Sequence, residues 1–130
     1  MKSKTKSTNS MYKSSFDSAI KLYRSGDSAR AVESLRLLAI DFPNVTSIHA
    51  YLGLVLLELS NAIQAARHFD VATHLSPGDE TVSLGLFHSL LESGRRKEAV
   101  VELRRFQSVS HSDDYDAIAD DMGIRLPTAA

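Results

Sequence analysis

The sequence predicts an all-α protein built as a stack of antiparallel helix pairs. Three observations carry this. Leu, Ala and Ser are plentiful while Gly and Pro are sparse, a balance that favours helix over a sheet sandwich. Residue types recur in register every 34 residues. The helix-breaking residues fall at the joints between apolar-periodic stretches rather than inside them.

The register is visible in five columns: Pro43 and Pro77; Ala31, Ala65 and Ala99; Gly26, Ser60 and Gly94; Leu22, Leu56 and Leu90; Leu35, Phe69 and Leu103. Each has a physical reading. Gly26 and Gly94 stand where a helix must stop and reverse, and glycine tolerates the left-handed backbone such a stop uses. Ser60 followed by Asn61 serves the same turn and caps the next helix. The alanines are small residues where two helices approach closely. Leu35, Phe69 and Leu103 follow four residues later on the same face. Pro43 and Pro77 break the helix and open the next unit.

The spacing predicts helices over 12–25, 28–41, 45–58, 61–75, 79–92 and 95–108, with Asp27 and Asp79 as N-caps. A helix pair this short cannot bury its apolar face alone, whereas three stacked pairs can. Units are expected over 12–45, 46–79 and 80–111. Residues 112–124 read as a seventh, capping helix. Ser112, Asp113 and Asp114 suit its start, Tyr115, Ile118, Ala119 and Met122 form its apolar stripe, and Gly123 ends it. Residues 1–10 are Lys, Ser, Thr and Asn with almost nothing apolar, and are expected to form an unstructured, basic and polar tail; 125–130 are a second tail.

Composition removes several classes of function. The chain has no cysteine, hence no disulfide, redox motif or thiolate zinc site. A net charge of −1 supplies no field for gripping nucleic acid. The basic cluster Arg95, Arg96, Lys97, Arg104 and Arg105 is interleaved with Glu92, Glu98 and Glu102 at pairing distance. No apolar run reaches the ~20 residues of a membrane span, and no apolar stretch follows Lys2, Lys4 and Lys6 as a secretory signal needs. The expected location is the cytoplasm. His49, His68, His74, His88 and His111 include no HExxH and no pair three to five apart on one helix, so at most two can meet by folding. The aspartates at 113, 114, 116, 120 and 121 lack the calcium-loop spacing and read as a solvated face. No phosphate loop or nucleophile elbow appears. No metal, cofactor or enzymatic activity is expected.

The columns resemble those of tetratricopeptide repeat (TPR) proteins. The middle unit carries Leu52-Gly53, Leu56, Ala65, Phe69, Ala72 and Pro77 in the family's order. The first keeps Leu22, Gly26, Ala31, Leu35 and Pro43 but has Ser18-Ala19 where Leu-Gly is usual. The third keeps Leu86, Leu90, Gly94, Ala99 and Leu103 but departs at Phe87, usually small, and at His111, usually proline. The resemblance covers residues 12–111 and implies a right-handed superhelical stack of helix-turn-helix repeats with a concave, ligand-binding face lined by each unit's first helix.

Carried onto this sequence, that face comprises Lys13, Phe16, Ile20, Tyr23 and Arg24; Ser47, Ala50, Leu54, Leu57 and Glu58; and Thr81, Leu84, His88 and Leu91. Its centre is apolar, so the basic clamp by which some family members hold a peptide carboxylate is not visible. Ile20 and Leu57 are the positions expected to turn into the core. Leaving one Leu exposed forgoes about 1.5–3 kcal/mol, so a stripe of them should meet an apolar segment of another protein, or a second copy of this chain. The expected function is a protein-interaction module or small chaperone, similar to the export chaperones of type III secretion. The alternative is a self-associating assembly adaptor using the same surface.

Overall fold

The computed structural model describes residues 2–126, with side chains from Tyr12 onward. Among the described residues every regular element is helical: α1 (Lys2–Arg24), α2 (Ser28–Asp41), α3 (Thr46–Glu58), α4 (Ala62–Leu75), α5 (Glu80–Glu92), α6 (Arg96–Val109) and α7 (Asp113–Met122). α1/α2, α3/α4 and α5/α6 form the pairs, each pair packs on the next, and α3 also touches α5 directly. None of these helices is long and apolar enough to cross a membrane.

The bend within each pair explains two of the columns together. Gly26, Ser60 and Gly94 all have left-handed backbone, with φ of 92°, 61° and 78°. The next backbone N–H then donates back across the turn: Asp27 to Leu22 O, Asn61 to Leu56 O and Arg95 to Leu90 O, at 2.8–2.9 Å. The leucine column thus supplies the carbonyl that the left-handed column allows to be reached. After the bend, Asp27 and Asn61 cap α2 and α4 by accepting from the backbone of Arg30 and Gln64. Asp79 and Ser112 do the same for α5 and α7. Arg95 cannot cap in this way, and instead its guanidinium pairs with Glu98.

The alanine column is fully buried, as a close helix crossing requires. Leu35, Phe69 and Leu103 fill the space beside it. Phe69 has a special place: its ring, projecting from α4, lies against Gly53 of α3 and Gly85 of α5 so tightly that no Cβ could be added at either without displacing it. One ring therefore joins the second and third units.

A second recurring feature is polar. In the middle unit His49 and His68 stack, ring centroids 5.5 Å apart, with their Nδ1 atoms 3.2 Å apart. Exactly one unit further along the chain, the same two positions are Ser83 and Glu102, and the hydroxyl donates to the carboxylate at 2.6 Å. Each pair also satisfies the carbonyl of the preceding proline. His49 Nε2 lies 2.8 Å from Pro43 O, and Arg105, which grips Glu102 with two donors, reaches Pro77 O at 3.1 Å. The prolines end helices and leave carbonyls in need of donors, and the buried polar pairs of the following units provide them.

The histidine pair has a defined protonation pattern. His49 Nε2–H must donate to Pro43 O, which leaves Nδ1 as the acceptor for His68 Nδ1–H. Burial, chiefly, pushes His68 down to about 4, with His49 and Arg36 adding to the shift. Its folded value lies below the unfolded one near 6.5, so the unfolded chain takes up the proton first. The stabilisation is present above pH 6.5 and is lost as the pH falls from there to about 4. Urea titrations across that window should show a decline on the order of 1–3 kcal/mol, and His68→Gln should flatten it. An equally steep decline in the variant would refute this origin.

Two expectations change. Helix α1 runs back to Lys2, through the segment 1–10 whose composition suggested an unstructured tail. No Gly or Pro interrupts residues 2–24, and Ser, Thr or Asn inside a helix costs only about 0.5 kcal/mol each relative to Ala, too little to end one. Glu102, read from sequence as a surface carboxylate, is buried. The unusual Phe87 also finds its explanation. Its ring is buried edge-on to Tyr115 of α7, 5.6 Å between centroids, so the large residue packs against the last helix.

Candidate functional site

The exposed face of the first helices carries two depressions separated by Tyr51. One, of about 480 Å³, lies between α3 and α5. Ala50, Tyr51, Leu54 and Leu57 form one wall, and Thr81, Gly85, His88 and Glu92 the other. Its floor is the Phe69 ring, which is visible from this side because Gly85 has no side chain to cover it. Leu54 remains 38% exposed. The smaller apolar contribution comes on the α1 side, where Phe16 and Ile20 meet Tyr51, with Asp17, Lys21 and Arg24 around them. Phe16 holds Tyr51 in an edge-on contact at 5.4 Å.

The structure brings Ala50, Leu54, Leu57, Thr81 and His88 of the expected face into the α3–α5 depression, and Phe16, Ile20 and Arg24 into the one beside α1. Ile20 is mostly turned inward, at 8% exposure. Tyr23 leaves both: its hydroxyl donates to Glu58 at 2.5 Å, and that carboxylate pushes the phenol up to about 12. Leu84 and Leu91 line neither depression. They sit half-buried against the core, because α5 presents the Thr81, Gly85, His88 and Glu92 side to α3 and turns its leucines away. Ser47 is engaged with the Tyr12 hydroxyl at 2.9 Å.

Sequence reasoning missed Tyr51, Gly85, Glu92 and Phe69. The first three had a signal. Tyr51 and Gly85 stand four residues after Ser47 and Thr81, and Glu92 four after His88, on the same helical face. Phe69 had none along α3 or α5, since it reaches the face from a second helix through a gap left by glycine.

Elsewhere, His111 Nε2 meets Asp113 at 2.8 Å and Asp116 at 3.3 Å at the start of α7. These three could approach one cation together. Their geometry is that of an exposed histidine pairing with carboxylates, and the hydrogen bond to Asp113 raises the imidazole pKa above its ordinary value. The basic cluster on α6 is partly paired, Arg95 with Glu98 and Arg105 with Glu102.

No protein-family model matches the sequence, and no curated protein matches it. Solved structures do. The Yersinia enterocolitica type III secretion chaperone SycD, in complex with a peptide of the translocator YopD, superposes with a TM-score of 0.73 at 14% identity, covering 88% of each chain. A CopN–Scc3 complex gives 0.74 at 19% identity, covering 88% of this chain and 68% of that one. A mutant of MamA gives 0.69 at 21% identity, with 78% and 74% covered. The fold is that of TPR-type proteins. At these identities the likeness is one of backbone architecture, and the TPR stack here ends in α7, which Tyr115 anchors to α5 and α6 through Phe87, Ser83 and Phe106.

Proposed function

We propose that this chain is a protein-binding module of the chaperone type, holding an apolar segment of a client between α3 and α5. One observation carries the reading: a depression of about 480 Å³ with an aliphatic and aromatic α3 wall and a Phe69 floor, open on the face of the first helices. Exposed apolar surface of this kind is favourably covered by an extended chain or an amphipathic helix. Binding of this sort is in keeping with a TPR-type fold shared with SycD, which has been solved with a YopD peptide. The binding role requires no catalytic group. The depression offers His88 and Glu92 but no nucleophile–base pair of the kind a reaction would use.

The test is Leu54→Glu. Leu54 is part of the wall yet partly exposed, so the variant should fold, while a carboxylate in the depression must be desolvated on binding. Co-purification of a client from the native cell should drop about tenfold or more. Client recovery unaffected by the substitution would refute the assignment. Self-association through the same face is the second reading, and SycD has also been solved in an alternative dimer. Light scattering separates the two: a client-free dimer that Leu54→Glu converts to monomer would favour it.

A further inference from the structure

We infer that the segment held between α3 and α5 is bipartite: an apolar residue seated over Phe69, followed by a Lys or Arg that meets a negative lip formed by Glu92 and Glu58. The inference rests on the binding role proposed above and adds the charge of the partner to it.

Glu58 and Glu92 are the last residues of α3 and α5. Two reversals of the chain bring α5 parallel to α3, so the two helices end on the same side: Glu92 lines the depression there, and Glu58, next to the lining residue Leu57, stands just outside it where Tyr23 of α1 holds it. The C-terminal ends of both helices also carry the negative pole of the helix dipole, which adds to the carboxylates. Neither helix has a basic residue in its last turn to offset this. Glu92 lines the depression, is exposed, and makes no ion pair among the described residues. Glu58 accepts the Tyr23 hydroxyl, which holds the carboxylate in place while leaving its charge intact.

The remainder of the surroundings gives this lip a direction. At the opposite end the same face offers Thr81 and Ser47, which are neutral. In the first unit the position equivalent to Glu58 and Glu92 is Arg24. A cation is therefore repelled at the α1 end and attracted at the α3–α5 end. An apolar side chain alone would find a partial match, and an acidic neighbour on this side would face Glu92 across a desolvated contact. The complementary segment is apolar, then basic.

Fluorescence anisotropy with synthetic peptides tests this. The probes share a Phe-Leu centre and carry either two lysines or two glutamates, placed on either flank. The lysine peptide in its better orientation should bind about fivefold more tightly than the glutamate peptide at low salt, and the difference should shrink as salt is added. Glu92→Gln should remove most of the discrimination and Glu92→Lys should invert it. Glu92 is exposed, so both variants should keep the wild-type circular dichroism and melting. Equal affinity for the two flanks, with both peptides lost on Leu54→Glu, would overturn the charge assignment and leave the groove standing. Failure of every peptide to bind the wild-type chain would overturn both.

Discussion

Replacing Phe69 with alanine should lower the unfolding free energy by about 3–5 kcal/mol, the range for a buried Phe truncated in a core. Phe69 is 4% exposed, and its ring is wedged between Gly53 and Gly85 on two different helices. The lost contacts thus uncouple neighbouring units as well as emptying a site. For a domain of this size the fall in melting temperature should be about 10–20 °C, measurable by circular dichroism or urea titration. Gly85→Ala approaches the same site from the other side. The added methyl must displace the ring from its close packing, and should cost about 1–3 kcal/mol. The two effects should not add. With Phe69 already truncated, the alanine at 85 meets no ring, so its cost should largely disappear. Additive penalties would show that the close approach is not what makes glycine necessary there.

Glu102→Ala should be nearly as damaging, at about 3 kcal/mol or more. Glu102 is 6% exposed and accepts three hydrogen bonds from two partners. Its carboxylate accepts from Ser83 at 2.6 Å and from Arg105 through two donors at 2.8 and 2.6 Å. Ser83 has one hydrogen and the carboxylate has none to give, so the hydroxyl donates to Glu102 and accepts from Tyr115 OH at 2.8 Å. Burial, chiefly, raises the Tyr115 phenol well above its ordinary range, so it remains a donor at any physiological pH. Deleting the carboxylate leaves the buried Ser83 hydroxyl without the acceptor for its hydrogen and releases Arg105 from its fork, and with it the tie to Pro77 O. Removing one partner of a buried charged network is costly because the others stay desolvated without compensation. Native-state hydrogen exchange should show α7 losing protection first, since the buried Tyr115 hydroxyl rests on the Ser83–Glu102 network. Unchanged stability together with unchanged protection of α7 would refute this account.

These two sites also show why one repeated position can be filled by different chemistry. His49 with His68 and Ser83 with Glu102 occupy the same places in successive units, and each provides or organises a donor for the carbonyl of the proline before it. The requirement is a donor at the joint. A neutral imidazole meets it directly at Pro43. At Pro77 an arginine does so, and its charge then calls for the buried carboxylate that Ser83 and Tyr115 complete.

The amino-acid sequence by itself determined the all-helical class, the pairing of helices and the places where they bend. Those are local matters: a residue that tolerates left-handed backbone, a cap beside it, a proline at the break and apolar residues at helical spacing act within a few positions of one another. The resemblance to TPR proteins also pointed to the face of the first helices, carrying Leu54, Leu57 and His88 onto it. The tertiary structure decided what the face contains. Phe69 reaches it from α4 only where Gly85 leaves an opening, Leu84 and Leu91 turn from it with the rotation of α5, and Glu92 becomes its charged edge because α3 and α5 end side by side. It likewise decided that Glu102 is buried and that two histidines 19 residues apart share a hydrogen bond. Each of these depends on how helices distant in sequence are rotated and brought together, and that rotation is set by the sum of close packing across the stack, which no single helix records.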